Sequence, residues 1–206
     1  MMKKWLGFFL SVVLVLGLTA CGSTSNEADS TAPGASQDTA KGDTKVLVAY
    51  FSATGTTKAA AETLAEATSA DIFEIVPSQP YTDDDLNYND TKSRSTVEQN
   101  DPNARPEISG TVENWNEYDV VFIGYPIWWY EEPRIVDTFV EKYDFSGKTV
   151  IPFCTSGGSG IGESGSNLEK LTSGAVWMEG QRLQGSVSQS DVESWVDSLG
   201  LDIGTK

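Results

Sequence analysis

Histidine is absent from the 206-residue sequence, and cysteine occurs only twice. Without histidine, Ser-His-Asp and Cys-His catalysis are excluded, and no imidazole is available as a metal ligand. Basic residues are also scarce, since 14 Lys and Arg face 30 Asp and Glu and give a formal net charge of −16. Such a charge repels nucleic acid and anionic lipid at long range. We therefore expect neither nucleic acid nor a metal ion among the ligands.

The first apolar run, from Trp5 to Leu18, contains no charged residue and directly follows Lys3 and Lys4. A basic start followed by about 7–15 apolar residues is typical of a secretory signal peptide, and a membrane-spanning helix needs roughly 20. The run ends in Leu18-Thr19-Ala20-Cys21-Gly22, which resembles a bacterial lipobox. This resemblance implies that Cys21 carries several acyl chains, which would anchor the protein at an extracytoplasmic membrane surface. The alternative is an ordinary signal peptide followed by a chance cysteine.

Large apolar residues are missing from residues 22–44, so this tract cannot bury enough surface to offset the entropy of ordering. We predict a signal peptide at residues 1–20, a lipidated cysteine with a flexible tether at 21–44, and one globular domain at 45–206. If Cys21 is lipidated, Cys154 is the remaining thiol and no intramolecular disulfide can form. We expect Cys154 to be a buried core residue without a redox role.

Short apolar runs alternate with helical segments in the second part of the chain. This alternation predicts a three-layer α/β fold with a parallel sheet and right-handed crossovers. Strands are predicted at residues 45–51, 71–76, 120–125, 149–154 and 175–183. Helices are predicted at residues 56–69, 133–143, 165–171 and 189–199.

One long polar segment, residues 77–112, interrupts this alternation. Loops of such length in compact domains are usually functional or disordered. Tyr81 and Tyr88 lie in it, and so do Arg94 and Arg105, either of which could meet an anionic group of a ligand. The alternative for the two arginines is pairing with the many nearby carboxylates.

Hydroxyl groups cluster in the turn after the first predicted strand, Ser52-Ala53-Thr54-Gly55-Thr56-Thr57-Lys58. The helix that follows presents unpaired N–H groups at its N-terminus, and the hydroxyls can donate to phosphate oxygens. Gly55 allows the backbone to approach a ligand closely. The turn lacks the Gly-Lys-Ser/Thr of a Walker A motif, which argues against a nucleoside triphosphate. A plain turn with threonine caps is the alternative.

Two further turns follow predicted buried strands. Aromatic residues fill 125–130 and could stack on a planar heterocycle, although a core cluster or a partner-binding patch would need the same residues. Small residues fill 155–160 and leave room for the edge of a ligand, unless this is merely a flexible loop. A GxGxxG match at 160–165 lies outside the first strand–helix turn, so we do not interpret it as a dinucleotide site. Because parallel strands end at one edge, the three turns are expected to converge.

With these turns, residues 45–200 resemble the flavodoxin family. SATGTT is similar to the family's S-x-T-G-x-T, and YPIWW and CTSGGSG are similar to the two other flavin-contacting loops of a flavodoxin-like subgroup. The resemblance implies a doubly wound, five-stranded parallel sheet of order 2-1-3-4-5, with helices on both faces and FMN at the carboxyl edge. It implies a phosphate site formed by Ser52, Thr54, Gly55, Thr56 and Thr57. It also implies that the isoalloxazine ring is flanked by Pro126, Ile127, Trp128 and Trp129, and that its edge is lined by Thr155, Ser156, Gly157 and Gly158.

The sequence departs from the family pattern after the third strand. Several flavodoxins have a glycine there whose peptide flips to stabilise the reduced ring, whereas residues 126–132 contain none. Glu131 and Glu132 add negative charge in the same stretch. Negative charge beside a reduced, anionic flavin raises its energy, by about 1–4 kcal/mol per close charge. We therefore expect a low potential for the final reduction step.

The resemblance favours an electron carrier that exchanges electrons with redox proteins at the membrane. An FMN-dependent quinone or flavin oxidoreductase is the second hypothesis, with segment 77–112 as a lid or substrate wall. The third hypothesis is a flavin-free binding module on the same fold. No catalytic side chain is assigned, because the flavin itself carries the chemistry in such proteins.

Overall fold

A parallel β-sheet forms the centre of the computed structural model, which describes residues 44–203. The strands are β1 (Val46–Tyr50), β2 (Asp71–Glu74), β3 (Val76–Pro77), β4 (Ile108–Ser109), β5 (Val120–Pro126), β6 (Thr149–Thr155), β7 (Val176–Trp177) and β8 (Gln181–Arg182). The helices are α1 (Thr56–Thr68), α2 (Arg94–Asn100), α3 (Arg134–Lys142), α4 (Ser164–Glu169) and α5 (Gln189–Ser198). A single 3₁₀ turn covers Trp115–Glu117.

The strand order of the sheet is β2-β1-β5-β6, followed by β7 and β8, which both pair with β6. All these pairs are parallel. Counted along the chain, this is the predicted order 2-1-3-4-5, with the fifth position shared by two short strands. The flavodoxin-like α/β prediction is therefore confirmed.

Pro152 explains why the predicted strand at 175–183 is divided. The carbonyls of Lys148, just before β6, and of Val150 and Cys154 on β6 accept hydrogen bonds from β7 and from the residues that follow β7 and β8, so alternate residues here face that side. Pro152 belongs to the same alternation but has no N–H to donate. The ladder is interrupted there, and the chain passes Pro152 at Gly180, where a Cβ would lie 2.4 Å from the Pro152 carbonyl oxygen.

Alternate side chains of the central strands enter two separate cores, as expected for a sheet covered on both faces. Leu47, Ala49 and Val121 pack with α3 and α4 on one face. Val48 and Phe122 pack with α1 and α5 on the other. The two sheet faces therefore hold β1, β5 and β6 in a fixed register, and their carboxyl ends meet at one edge.

Segment 77–112, which the sequence predicts to be a long loop, contains regular secondary structure. It contains α2 and the short strand β4, which pairs with β3 in an antiparallel ladder. The hydroxyl of Ser93 caps α2 by accepting a hydrogen bond from the N–H of Thr96. No helix was expected here, because the only buried side chains of α2 are the polar Ser95, Thr96 and Gln99, which give no hydrophobic periodicity.

The predictions for residues 1–20 and for Cys21 lie outside the described residues, as does nearly all of the predicted tether. Within residues 44–203, none of the helices has the length and apolar character needed to cross a bilayer.

Gly124 provides a test of the packing between β5 and β6. A Cβ at this position would lie 2.1 Å from the ring of Phe153, which is fully buried. We expect Gly124→Ala to lower the free energy of unfolding by about 2 kcal/mol or more, because a buried ring and its strand must shift. Urea denaturation measures the effect. Gly160→Ala is the matched control, since a Cβ there meets nothing within 4 Å, and its effect should stay below about 0.5 kcal/mol. Equal effects of the two substitutions would contradict this packing.

Candidate functional site

An open cleft of about 480 Å³ lies at the carboxyl edge of the sheet, within the size range of small-molecule sites. It is formed by the turns after β1, β5 and β6, together with one residue of segment 77–112. The residues that line the cleft are Thr54, Thr56, Tyr88, Pro126, Ile127, Trp128, Trp129, Thr155, Ser156 and Gly157. The three turns singled out in the sequence therefore converge.

The turn between β1 and α1 presents hydroxyls at one end of the cleft. Gly55 precedes α1 with a φ of 88°, a left-handed conformation that favours glycine. Its N–H donates to the hydroxyl of Ser52, which closes the turn. The side chains of Thr54 and Thr56 are exposed on this frame and face the cleft. The positive end of the α1 dipole lies at the same place.

A buried pair of threonines joins this turn to the end of β6. The hydroxyl oxygens of Thr57 and Thr155 are 2.8 Å apart, and both residues are almost completely buried. Thr155 also lines the cleft, whereas Thr57 does not. The pair fixes the separation between the hydroxyl-rich turn and the small-residue turn.

A tight aromatic turn forms the opposite wall of the cleft. The backbones of Trp128 and Glu131 exchange two hydrogen bonds of 3.0 Å, and Trp129 and Tyr130 between them have φ values of 46° and 70°. Left-handed backbone costs about 1–2 kcal/mol for each residue with a side chain. A functional constraint commonly accounts for such strain. Here, the turn places the indole of Trp129 on the cleft without the help of glycine.

Aromatic neighbours hold this wall in place. Trp128 is buried and contacts the rings of Phe51 and Tyr81 at centroid distances of 5.6 and 5.4 Å. Tyr88 contacts the edges of Trp128 and Trp129 at 6.2 and 5.3 Å, and its ring is half exposed. Tyr88 is a lining residue that the sequence analysis did not include in the site, because its position depends on how segment 77–112 folds back.

The third turn is kept open by small residues. The hydroxyl of Ser156 donates to the carbonyl of Ser159 and accepts from the N–H of Gly158, which shapes the turn. A Cβ at Gly157 or Gly158 would meet nothing within 4 Å. The space beside these glycines is therefore available to a ligand.

Nine of the thirteen predicted cofactor-binding residues line the cleft. The other four are Ser52, Gly55, Thr57 and Gly158, which support the backbone of the same turns. The alternative reading of Arg94 and Arg105 fits the structure, because Arg94 pairs with Glu98 and Arg105 with Glu141. Neither arginine lines the cleft, and a contact of either one with an anionic ligand stays a prediction.

A sequence profile described as flavodoxin matches residues 45–199, about three quarters of the chain. The chain belongs to the flavodoxin family. Among solved structures, a protein described as a flavoprotein from Bacteroides eggerthii is 51% identical, with a TM-score of 0.73 over 76% of this chain and 98% of that one. A similar protein from Bacteroides uniformis is 45% identical, with a TM-score of 0.71 over 75% and 98%.

A more distant flavoprotein from Lactobacillus acidophilus, solved in complex with FMN, shares the fold at 24% identity. Its TM-score is 0.56 over 74% of this chain and 99% of that one. The comparison with curated proteins gives no match.

In this flavodoxin-family domain, Glu131 and Glu132 are both paired with an arginine. Both carboxylates contact Arg134, with N–O distances of 2.7 Å to Glu131 and 3.6 Å to Glu132. Neither residue lines the cleft. Arg134 therefore compensates part of their charge, and the expected low potential of the final reduction step stays a prediction.

Glu132 belongs to a buried acidic cluster behind the aromatic turn. Its side chain is 1% exposed, and burial raises its pKa to about 7 even though Asn167 and Arg134 favour the ionised form. Burial likewise raises the pKa of Asp137 to about 6, against the attraction of Arg134 and Arg105. Both acids therefore bind a proton more tightly in the folded protein than in the unfolded chain.

Cys154 lies in the core of the same domain, as predicted. It is completely buried at the end of β6, and burial raises the pKa of its thiol to about 12. A thiol of this kind is a poor nucleophile, because the thiolate is the reactive form.

The raised pKa of Glu132 gives stability a defined pH dependence. Between about pH 4.5 and 7 the folded state holds a proton that the unfolded chain has released, so stability falls as the pH rises through this window. We expect ionisation of Glu132 to lower the free energy of unfolding by on the order of 3 kcal/mol across this window. Glu132→Gln should remove this contribution to the pH dependence of stability. The part due to Asp137 remains in the variant. Urea denaturation at pH 5 and pH 7.5 measures both, with Glu169→Gln as an exposed control. Identical slopes for the wild type and Glu132→Gln would refute the assignment.

Proposed function

We propose that the protein binds FMN in the cleft and transfers electrons at the membrane surface. The observation that carries this proposal is that the two ends of the cleft differ in chemistry, with polar groups at one end and aromatic rings at the other. Hydroxyls and the N-terminal end of α1 lie on one side, and indole rings lie on the other. A flat ring system with a phosphate at the end of a chain fits this distribution, and the open space beside Gly157 fits the edge of the ring.

The residues of the cleft have separable tasks in this proposal. Thr54 and Thr56 would donate hydroxyl hydrogen bonds to the phosphate, in the field of the α1 dipole. Trp128 and Trp129 would cover the ring and exclude water from it. FMN, when bound, supplies the ability to accept and release one or two electrons.

The lining of the cleft favours an electron carrier over an enzyme. Among the described residues, the lining includes neither a carboxylate nor a lysine or arginine, and Tyr88 contributes its only phenol. A reductase would have to hold a second substrate against the ring, and the lining offers no charged side chain that would bind one. The half-exposed rings of Tyr88 and Trp129 leave one side of the cleft open, which suits transient docking of a redox protein.

The membrane location is proposed from the N-terminal sequence alone. The apolar run and Cys21 support export and lipidation, and residues 22–44 would tether the domain to the lipid. At about 5–6 Å × √n, a flexible tether of this length spans roughly 25–30 Å. The acidic surface would then select partners with basic patches, in a manner sensitive to salt.

Two variants separate the phosphate end of the cleft from its ring end. Thr54→Val with Thr56→Val should weaken FMN binding about tenfold and leave riboflavin binding within about twofold, because only FMN carries the phosphate. Trp129→Ala should weaken both flavins about five- to tenfold, because both carry the ring. Fluorescence titration of the purified domain measures the four affinities, and Thr63→Val on the far part of α1 is the control.

Two outcomes of that titration would count against the proposal. A wild-type protein that binds neither flavin would favour the flavin-free module. Equal losses for FMN and riboflavin in the threonine variant would place the phosphate elsewhere. Steady turnover of NADH with a quinone would instead favour the oxidoreductase.

Lipid anchoring has its own test. In a bacterial host, the full-length chain should partition with the membrane fraction, and Cys21→Ser should leave the protein in the soluble extracytoplasmic fraction or with its signal peptide uncleaved. Fractionation with antibody detection measures this, and Cys154→Ser controls for loss of a thiol. A wild-type protein without lipid label from radioactive palmitate would reject the lipobox interpretation.

A further inference from the structure

A second, more polar pocket of about 400 Å³ adjoins the cleft. We refer to it as the side pocket. It shares Thr56, Thr155, Ser156 and Gly157 with the cleft, and its remaining wall is formed by residues 182–186, the last residue of β8 and the turn after it. A ligand in the cleft that contacts these four shared residues therefore lies next to the side pocket.

Arg182 is the cationic residue of the side pocket. The chain has four arginines, and the other three, Arg94, Arg105 and Arg134, each pair with at least one carboxylate. Within residues 44–203, Arg182 has no carboxylate within 4.0 Å, although acidic residues outnumber basic ones about two to one. Its guanidinium is therefore available to an anion that enters from outside.

The fold holds Arg182 beside the cleft. β8 pairs with the end of β6, with Arg182 in register with Cys154. The guanidinium Nη1 lies 3.4 Å from the carbonyl oxygen of Ser156, at the limit of a hydrogen bond, on the turn that lines the cleft. This carbonyl leaves most of the five guanidinium N–H groups unused.

The same wall also contacts the beginning of α1. A Cβ on Gly185 would lie 2.8 Å from the methyl group of Thr56, so the turn after β8 packs directly on the first residue of the helix. The positive end of the α1 dipole and the guanidinium therefore border one pocket. Lys58, the other cation near this end of α1, is 3.8 Å from Glu74 and 4.0 Å from Glu62.

We propose that Arg182 is the cationic binding residue of the flavin site and interacts with an anionic group of bound FMN. This inference rests on the proposed binding of FMN in the cleft. FMN has two possible anionic groups, the phosphate in every redox state and the ring system after reduction. In a protein with a net charge of −16, one cation without a carboxylate partner at the ligand changes the local potential more than any surface lysine.

The test compares Arg182→Gln with Arg182→Lys, and uses Lys142→Gln as the control of equal charge change. Lys142 ends α3, where its ammonium group donates to the carbonyl of Gly110, outside the cleft and the side pocket. Affinities for oxidised FMN and riboflavin come from fluorescence titration. The affinity for reduced FMN follows from those values and the midpoint potentials of free and bound flavin.

If Arg182 contacts the phosphate, Arg182→Gln should weaken FMN binding about tenfold and leave riboflavin within about twofold. If it faces the ring, oxidised affinities should stay within about twofold, and affinity for reduced FMN should fall about tenfold. Either result supports the proposal when Arg182→Lys retains binding within about threefold and Lys142→Gln equals the wild type.

The proposal is overturned if Arg182→Gln binds both flavins like the wild type in both redox states, or if Lys142→Gln shows the same loss. In either case the wild type still binds FMN, so the proposed function stands. A wild type that binds no flavin would overturn both. If Arg182→Gln does not fold, as judged by circular dichroism, Arg182→Met keeps the length of the stem without the charge and replaces it in every comparison.

Discussion

The common carboxyl edge of β1, β5 and β6 is the constraint on which the rest of the site depends. The three strands lie side by side in parallel register, so the turns that follow them leave the sheet at one place. Gly124 leaves room for the ring of Phe153 on the face of the sheet, and the threonine pair at Thr57 and Thr155 links the first turn to the third. Hydroxyl, aromatic and small-residue turns are thus brought together by sheet packing, before any ligand contributes.

Local strain is concentrated where the sheet meets the cleft. Gly55 takes a left-handed conformation at no steric cost, whereas Trp129 and Tyr130 take it with full side chains. The fold compensates through the ring contacts of Trp128 and the ion pairs of Arg134 behind the turn. A wall of this kind is pre-organised, since little freedom remains for it to lose when a ring binds.

The parts of this fold that could be predicted are those encoded by short stretches. The runs at β1, β5 and β6 are buried on both faces, so each reads as a strand without reference to the rest. The turns after them carry their chemistry in consecutive residues. Tyr88 and Arg182 could not be assigned in this way, because segment 77–112 reaches the cleft, and the end of β8 reaches the adjoining side pocket, only through tertiary packing. The ion pairs of Glu131 and Glu132 with Arg134 could not be predicted for the same reason, since the orientation of a side chain relative to a turn is not visible in its position along the chain.

Two arginines near the site have different partners, and this difference determines the charge that a ligand meets. Arg134 lies behind the aromatic turn, where it is shared by Glu131, Glu132 and Asp137 and offsets charges that belong to the protein. Arg182 lies beyond the small-residue turn and contacts a carbonyl instead of a carboxylate. The lining of the cleft itself is uncharged. A ligand there therefore meets no ionised side chain of the lining, while Arg182 borders the adjoining side pocket, which favours an anion in a chain that is otherwise strongly acidic.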